Sequence, residues 1–474
     1  MRHGAGGHCT VREGFTQGRG AFNIPAMTAP VTLPLWLFLL ILAFAGVTFA
    51  SHFLFPSVRW FFRRRLERAV ARLNERLERP IRPFKLAERH DTIQRLIYDP
   101  EVSRAIVATA EAEGIPESVA FERARRYARE IVPAFSASLY FGLAIRLARW
   151  LSGTLYAVRL ERAEVVGSID REATVVFVMN HRSNMDYVLL THLVAGTSPL
   201  AYAVGEWARV WPVSRLIRAL GGYFIRRREG DMLYRRVLAR YVRFATEGGV
   251  TQAIYPEGGL SLTGGLGPPK LGLLKYIAEA GPAGRDVIFV PVGLNYDRVL
   301  EDRLLTSAGQ TGERRFRARP LAIARFVLGH LWLKVTGRHR RFGQAAVRFG
   351  QPLSLAAFRG AQDADPQRLA EVLMERIGAA VPVVPVPVVA HLLRSDGAMP
   401  RAELQRKAAA LTERLGLPAL APAALDQAVG QLAARKIVVD RGDVLAPAEE
   451  ETALLDFYAS SIAHLLPGDA AAAE

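Results

Sequence analysis

The residues best suited to chemistry form a short polar turn, His181 to Asp186, directly after an apolar run from Val175 to Val178. A strand that leads into a helix through a polar turn is a common place for catalytic groups in α/β proteins. In that setting a carboxylate can hold one ring nitrogen of a histidine while the other nitrogen meets the substrate. The pattern predicts a general base that takes a proton from an alcohol, with His181 as the base and Asp186 as its partner.

The interval between this histidine and this aspartate is not specific by itself. Of the ten histidines, His391 and His464 are followed at the same interval by Asp396 and Asp469. Neither of these has a clear leading strand, whereas His181 does. The prediction therefore depends on the strand and on further motifs along the chain.

The composition indicates an anionic partner. The 474 residues include 62 Lys and Arg against 45 Asp and Glu, a formal net charge of +17. Such a balance suits a membrane surface, a nucleic acid or a phosphorylated substrate. The one cysteine, Cys9, excludes an internal disulfide and a cysteine-rich zinc site. Because no other cluster with ligand spacing accompanies His181, a metal hydrolase is disfavoured and no metal is expected.

Residues 33–56 are almost wholly apolar and are predicted to form a transmembrane helix. A stretch of about 20 such residues matches the hydrocarbon thickness of a bilayer. No Asp, Glu, Lys or Arg stands between Arg19 and Arg59, and nine arginines follow from Arg59 to Arg82. By the positive-inside rule, this predicts a single-pass membrane protein whose remaining chain faces the cytoplasm, in the inner membrane if the source is bacterial. A signal peptide or a buried core helix is the alternative.

The rest of the chain divides by composition. Residues 1–32 have no apolar period and are predicted to be a disordered head. Residues 57–150 form a helical membrane-proximal region, in which residues 133–150 suit either an interfacial helix or a core helix. Residues 151–381 form an α/β domain. After a stiff proline-rich break, residues 382–474 form a small C-terminal helical appendage or domain.

Five segments of the α/β domain are predicted as strands, with helical stretches between most of them. They are Glu164–Val166, Thr174–Met179, Gly249–Tyr255, Val287–Leu294 and Ala345–Phe349. The alternation predicts a mixed sheet flanked by helices.

Four motifs occur in one order along the chain, and four ordered motifs are far more specific than one. They are Asn180–Tyr187 (NHRSNMDY), Gly221–Arg227 (GGYFIRR), Tyr255–Gly264 (YPEGGLSLTG) and Val290–Leu294 (VPVGL). Together they resemble the glycerol-3-phosphate acyltransferase family, one of the membrane glycerolipid acyltransferases with an H-x4-D motif. The resemblance implies a glycerolipid acyltransferase-like fold for residues 151–381.

The activity that this resemblance implies is acyl transfer from acyl-CoA or acyl-carrier protein to the sn-1 hydroxyl of glycerol 3-phosphate. The product would be lysophosphatidate, in phospholipid biosynthesis. The implied partners are therefore membrane lipid, the acyl donor as co-substrate and glycerol 3-phosphate, with no cofactor. Nucleic acid is not expected.

The resemblance also implies roles for single residues. His181 would be the general base, oriented by Asp186, and the acceptor alcohol would attack the thioester directly. A backbone N–H at the start of the helix after His181 is expected to stabilise the oxyanion. The residues implied to bind the substrate phosphate are Arg226, Arg227 and Lys270. The other residues implied to bind substrate are Arg182, Ser183, Glu257, Gly258 and Gly259.

The third motif departs from the family pattern, which usually has arginine where Leu260 stands and often again at Leu262. Leucine lacks the charge and the hydrogen-bond donors with which arginine binds phosphate. The acceptor therefore stays open between glycerol 3-phosphate, lysophosphatidate and dihydroxyacetone phosphate. A catalytically dead, membrane-tethered lipid-binding protein is the alternative from another class.

Overall fold

The computed structural model describes residues 34–46, 48, 75, 81, 89–194, 198–205, 209–211, 213–226, 230–280, 285–312, 329, 332, 336, 341–360 and 365–466. The chain divides into two compact units, residues 1–69 and residues 70–474. The first unit contains helix α1, Leu35–Gly46. Eight of its large apolar side chains are exposed, from 50% for Ile41 to 74% for Leu35.

Only part of the predicted transmembrane helix over residues 33–56 coincides with α1. The other residues of that stretch, apart from residues 34 and 48, lie outside the described residues, as do the predicted head and all nine arginines from 59 to 82. Within the described part of the chain, no single helix has both the length and the apolar composition of a membrane span. Two consecutive helices, Pro366–Ala380 and Pro385–Asp396, pass that test as a pair but are bent by 96°.

A group of helices precedes the sheet. It consists of α2 (Arg89–Ile97), α3 (Pro100–Glu113), α4 (Glu117–Ile131), the short α5 (Ala137–Leu139), a π-helical turn (Tyr140–Ala144) and α6 (Ile145–Leu155). The Asp99 carboxylate caps α3 by accepting a bond from the backbone N–H of Glu101, and Gly114 ends the helix with a φ of 63°. The predicted amphipathic stretch at residues 133–150 buries Ala144 and Ala148 and exposes Leu143 and Leu147.

The main sheet contains eight strands within the described residues. They are β1 (Ala157–Glu161), β2 (Thr174–Met179), β3 (Ala201–Gly205), β4 (Gly222–Ile225), β5 (Gln252–Ile254), β6 (Val287–Tyr296), β7 (Gln344–Phe349) and β8 (Leu353–Ser354). Their order is β1-β7-β6-β2-β5-β3-β4, and β8 pairs with the other end of β6. Strands β6, β2, β5, β3 and β4 run parallel, whereas β7 and β8 run antiparallel to β6.

The helices that follow these strands are α7 (Glu164–Gly167), α8 (Met185–Leu193), α9 (Val213–Ala219), α10 (Met232–Glu247), α11 (Gly272–Ala278), α12 (Asp302–Thr311), α13 (Leu355–Arg359) and α14 (Pro366–Ala380). The central strand β2 is buried on both faces, as its continuous apolar sequence predicts for a parallel strand. Val175, Phe177 and Met179 face one apolar core, and Val176 and Val178 face the other. The predicted mixed sheet flanked by helices is therefore confirmed.

Individual strand predictions differ in outcome. The prediction of Thr174–Met179 is confirmed at both ends, and the other three strands near the motifs are present with shifted ends. The prediction of a strand at Glu164–Val166 is wrong, because these residues form α7. The Ser168 N–H bonds the carbonyl of Glu164, which closes one helical turn. Three apolar or charged residues carry too little periodicity to distinguish a strand from a turn of helix.

The C-terminal part comprises α15 (Pro385–Asp396), β9 (Met399–Pro400), α16 (Arg401–Arg414), α17 (Pro422–Ala434), β10 (Val438–Asp440), β11 (Val444–Pro447), a 3-10 turn (Glu449–Glu451) and α18 (Thr452–Ala463). The appendage that was predicted as helical contains the antiparallel sheet β10-β11-β9 in addition to its helices. Leu455 and Phe457 of α18 belong to the same apolar core as Val292 and Phe349 of the main sheet. The proline-rich break leads directly into α15, which begins at Pro385.

Candidate active site

The first and third motifs lie side by side at the carboxyl edge of the sheet. They follow β2 and β5, which are hydrogen-bonded parallel neighbours. The His181 N–H bonds Glu257 Oε1 at 3.1 Å, and the His181 carbonyl accepts a bond from the Ser261 N–H at 2.9 Å. Asn180 exchanges two hydrogen bonds of 2.9 and 2.8 Å with the backbone of Leu294 in β6. The backbone of the histidine is thus held from two neighbouring strands.

The histidine and the aspartate of the first motif are in contact. His181 Nδ1 lies 2.9 Å from Asp186 Oδ2, and Asp186 stands in the first turn of α8. The imidazole stacks on the Tyr255 ring with centroids 3.7 Å apart, which restricts its rotation. With Nδ1 donating to the carboxylate, Nε2 carries the lone pair that can accept a proton. No residue in the described part of the chain forms a hydrogen bond with Nε2.

The Asp186 carboxylate is fully buried and accepts four hydrogen bonds. Oδ2 accepts the His181 bond and the backbone N–H groups of Arg182 at 2.8 Å and Ser183 at 3.0 Å. Oδ1 accepts the Tyr296 hydroxyl at 2.6 Å. An ionised carboxylate tolerates full burial when its lone pairs are satisfied in this way.

These bonds involve the N–H groups nearest to the histidine, which were the first candidates for the expected oxyanion donor. The N–H groups of Arg182 and Ser183 donate to Asp186, and that of Asn184 to Glu301 Oε1. The N–H groups of Met185 and Asp186 donate to the side chain and the carbonyl of Ser183. Because each of these donors already has an acceptor, none is available to a tetrahedral intermediate.

Glu257 supports the turn that carries the histidine through hydrogen bonds to the backbone. Its second oxygen accepts the Gly267 N–H at 2.9 Å, so one carboxylate links the first motif to the end of the third. Burial raises the pKa of the Glu257 carboxyl, against the two N–H donors and the Arg182 guanidinium, which lower it. Gly258 has a φ of +71°, a conformation that suits glycine. Gly259, which follows, is buried.

Lys270 lies directly over Gly258. A Cβ at position 258 would stand 2.9 Å from Lys270 Cδ and 3.6 Å from Nζ. The Lys270 N–H also bonds the Pro256 carbonyl at 2.8 Å. The structure therefore brings this predicted phosphate ligand to the turn that holds the histidine backbone.

Two residues of the first motif that were predicted to bind substrate have side chains that point into the interior. The Arg182 side chain is 2% exposed, and Nη2 donates to the Ser461 carbonyl of α18 at 2.9 Å. Burial lowers the pKa of this guanidinium to about 10. Ser183 is also buried, and its hydroxyl donates to Glu301 Oε2 at 2.7 Å. In this arrangement both side chains connect the turn to other parts of the protein.

The arginines of the second motif follow β4, three strands from β2, a separation of about 14 Å across the sheet. The Arg226 guanidinium makes two hydrogen bonds to Glu130 at 3.0 and 2.8 Å and lies over the rings of Tyr127 and Tyr234. Arg227 lies outside the described residues. Arg226 thus shares the carboxyl edge with His181 but is bound to a carboxylate of α4.

At the other two histidine–aspartate intervals, the described residues have different partners. Asp396, five residues after His391, bonds the Lys407 ammonium at 2.7 Å. His464 Nε2 lies 3.1 Å from the Gly378 carbonyl, and Asp469 lies outside the described residues. A search of the described part of the chain finds no group of three or more His, Cys, Asp or Glu that could hold a metal.

Several residues of the site were not predicted from the sequence. Tyr296 and Glu301 bond Asp186 and Ser183, and Tyr255 stacks on the imidazole. The only signal for the first two is their position just after the fourth motif. Leu260 and Leu262, which replace the family's usual arginines, are partly buried and pack against the larger apolar core.

Comparisons with known proteins identify related families for two parts of the chain. Residues 158–295 match the family described as "Acyltransferase", and residues 332–473 match the "Glycerol-3-phosphate acyltransferase C-terminal region". The chain is 30% identical over 418 residues to a glycerol-3-phosphate acyltransferase of Aeromonas hydrophila, covering 80% of this chain and 50% of that protein. It is 30% identical over 334 residues to one of Pseudomonas syringae pv. tomato, covering 65% of this chain and 39% of that protein.

Among solved structures, the chain is similar to the 1-acyl-sn-glycerophosphate (LPA) acyltransferase PlsC of Thermotoga maritima. The sequence identity is 18% and the TM-score 0.32, over 58% of this chain and 93% of that one. The chain spans at most half the length of the two curated relatives. Two family matches in order along the chain, and two relatives with the same description, identify the chain as a member of the glycerol-3-phosphate acyltransferase family.

Proposed function

We propose that this chain transfers an acyl group from acyl-CoA or acyl-carrier protein to the sn-1 hydroxyl of glycerol 3-phosphate. The product is 1-acylglycerol 3-phosphate, an early intermediate of phospholipid biosynthesis. The observation that carries the proposal is the 2.9 Å contact between His181 Nδ1 and a fully buried Asp186 carboxylate. That contact, in a member of this family, is the arrangement that a general base for an alcohol requires.

In the proposed reaction, His181 Nε2 takes the proton of the acceptor hydroxyl as its oxygen attacks the thioester carbonyl carbon. The imidazolium is stabilised by Asp186, as in a serine-protease triad. When the tetrahedral intermediate collapses, the carbon–sulfur bond breaks and the imidazolium returns the proton to the leaving thiolate. Ser183 carries no acyl group in this scheme, because its hydroxyl is buried and donates to Glu301.

Lys270 is the described cation that best supports phosphate recognition. Its exposed side chain lies over the Gly258 turn, whose neighbour Glu257 bonds the His181 backbone. Because Leu260 and Leu262 pack into the apolar core, phosphate recognition falls to Lys270 and the arginines of the second motif. Arg226 would have to exchange part of its Glu130 pairing for the phosphate, since both guanidinium bonds go to that carboxylate.

We expect Lys270→Met to raise KM for glycerol 3-phosphate by about 10- to 100-fold, with a smaller change in kcat, because a charged hydrogen bond contributes about 1.5–3 kcal/mol. Initial rates over a range of glycerol 3-phosphate concentrations check this. Lys436→Met removes an equal charge from an exposed C-terminal residue and serves as the control. An unchanged KM in Lys270→Met would remove Lys270 from the acceptor site.

A comparison of acceptors tests the proposed function itself. Purified full chain is given labelled acyl-CoA or acyl-carrier protein with glycerol 3-phosphate, lysophosphatidate or dihydroxyacetone phosphate. The expected result is the highest kcat/KM with glycerol 3-phosphate and a product acylated at sn-1. A preference for either other acceptor would assign that acceptor, and binding to lipid vesicles without acyl turnover with any of them would indicate a dead enzyme.

The proposed reaction uses glycerol 3-phosphate and an acyl donor as its two substrates, and it needs no cofactor. A membrane location, with one N-terminal span and a cytoplasmic catalytic part, belongs to the same proposal. It is supported by the apolar stretch at 33–56, by the exposed apolar side chains of α1 and by the arginines that follow. Fractionation of cells that express the full chain, with and without residues 1–56, tests this location.

A further inference from the structure

We propose that Tyr296 is a positioning residue of the active site, which holds Asp186 in place and tunes its hydrogen bond to the catalytic histidine. The inference rests on the proposed function, because it assigns Tyr296 to the general base of that reaction. Tyr296 lies at the end of β6, outside the four motifs. Its ring is 1% exposed, so it acts only through its neighbours.

The two oxygens of Asp186 are held very differently. Oδ2 accepts three hydrogen bonds from the turn of which Asp186 is itself a part. Oδ1 accepts a bond of 2.6 Å from Tyr296, which comes from 110 residues along the chain. Within the described residues, that hydroxyl is the one donor to Oδ1. Tyr296 therefore ties the carboxylate to the rigid sheet, independently of the turn.

The tyrosine is itself fixed in position. Its ring packs against Tyr156, with centroids 5.4 Å apart, and the Tyr156 hydroxyl donates to the Arg298 carbonyl at 2.7 Å. Burial and the nearby Asp186 charge raise the Tyr296 pKa well above its ordinary value. The hydroxyl therefore stays protonated and remains a donor to the carboxylate across the working pH range.

A second residue of the same segment holds the other side of the turn. The Glu301 carboxylate accepts the Ser183 hydroxyl at 2.7 Å and the Asn184 amide at 2.9 Å. Residues 296–301 thus contact the turn at three of its side chains. Removing the Tyr296 bond alone leaves the Glu301 contacts to keep the turn folded, which makes a single-atom test feasible.

The test is Tyr296→Phe, which removes one oxygen and keeps the ring. We expect kcat to fall about 10- to 100-fold, the loss of one charged hydrogen bond, with KM for glycerol 3-phosphate within about twofold of the starting protein. Tyr296 does not contact substrate in the proposal, so the effect belongs to kcat.

The pH profile supplies a readout that a purely structural role would not move. The titratable or charged groups around Asp186 include His181, Arg182, Tyr296, Glu301, Tyr156 and Tyr255. Loss of a donor to the anionic carboxylate makes proton uptake by the histidine–aspartate pair easier. The acid side of the kcat/KM profile of Tyr296→Phe should therefore move to higher pH.

Tyr156→Phe is the matched control, because it removes a buried hydroxyl from the same ring stack without touching Asp186. It should keep the original pH profile even if it unfolds at a lower temperature. Glu301→Gln, as a second variant, should lower kcat with KM unchanged. If Tyr296→Phe keeps the kcat and the pH profile of the starting protein while His181→Ala is inactive, the positioning role is refuted and the proposed function stands. If His181→Ala is fully active, the proposed function fails first.

Discussion

Asp186→Asn is expected to lower kcat by about 10³- to 10⁴-fold, as the equivalent change does in a serine-protease triad. The amide cannot stabilise the imidazolium by charge. It also presents an NH2 group where the carboxylate now accepts four hydrogen bonds. With its NH2 group on the His181 side, the amide sets a donor against the donors of the turn, and the histidine loses its favoured tautomer. With its NH2 group on the Tyr296 side, the tyrosine hydroxyl must turn to accept, and the negative charge is still lost.

The measurement is kcat for acyl transfer to glycerol 3-phosphate, with folding checked by circular dichroism. Asp170→Asn is the control, since Asp170 is an exposed turn residue whose carboxylate accepts only a local N–H from Glu172 among the described residues. A loss of less than about tenfold in Asp186→Asn would show that the carboxylate does little for the base.

Removal of α18 is expected to prevent folding of the α/β part, although the helix lies at the far end of the chain. The Leu, Ile and Phe side chains of α18 are at most 2% exposed, namely Leu454, Leu455, Phe457 and Ile462. At about 1.5–3 kcal/mol each, their burial contributes about 6–12 kcal/mol. This is as large as the whole free energy of unfolding of a typical domain, about 5–15 kcal/mol.

A chain ended after Glu451 should therefore be recovered as aggregate or be degraded by protease, without transferase activity. The control is a chain ended after Leu466, which keeps α18 and every contact described for it. In those contacts, the Tyr458 hydroxyl donates to the Asp302 carboxylate, and the Ser461 carbonyl accepts a bond from the Arg182 guanidinium. A soluble, folded and active chain ended after Glu451 would show that α18 is a separate appendage.

The catalytic turn was predictable because its signals are local. The strand Thr174–Met179 is apolar throughout, and the change to polar residues marks its end. His181 follows the strand directly, and Asp186 lies five residues later, in the first turn of the next helix. This spacing brings the two side chains together across the turn. The motifs further along the chain then distinguished this histidine from His391 and His464.

The supports of the turn were not predictable because they come from distant segments. Glu301 reaches Ser183 across 118 residues, and Ser461 reaches Arg182 across 279. No periodicity within either segment indicates such a contact. In the same way, the pairing of Arg226 with Glu130, 96 residues earlier, depends on how α4 packs beside β4.

The expected oxyanion donor is limited by the fold for a related reason. The N–H groups at the start of a helix are available to a ligand only when no side chain accepts them. Here Asp186 accepts those of Arg182 and Ser183. The aspartate that is proposed to orient the histidine also accepts the N–H groups nearest to it, a consequence that only the folded geometry shows.

The rate of acyl transfer by His181→Ala tests the central claim most directly. Full chain and variant are compared with saturating glycerol 3-phosphate and labelled acyl donor, with His90→Ala, an exposed histidine of α2, as the control. The account predicts that His181→Ala folds normally and loses about 10²- to 10⁴-fold or more in kcat/KM, while His90→Ala keeps the original rate. A folded His181→Ala protein that transfers acyl groups at the original rate would contradict it.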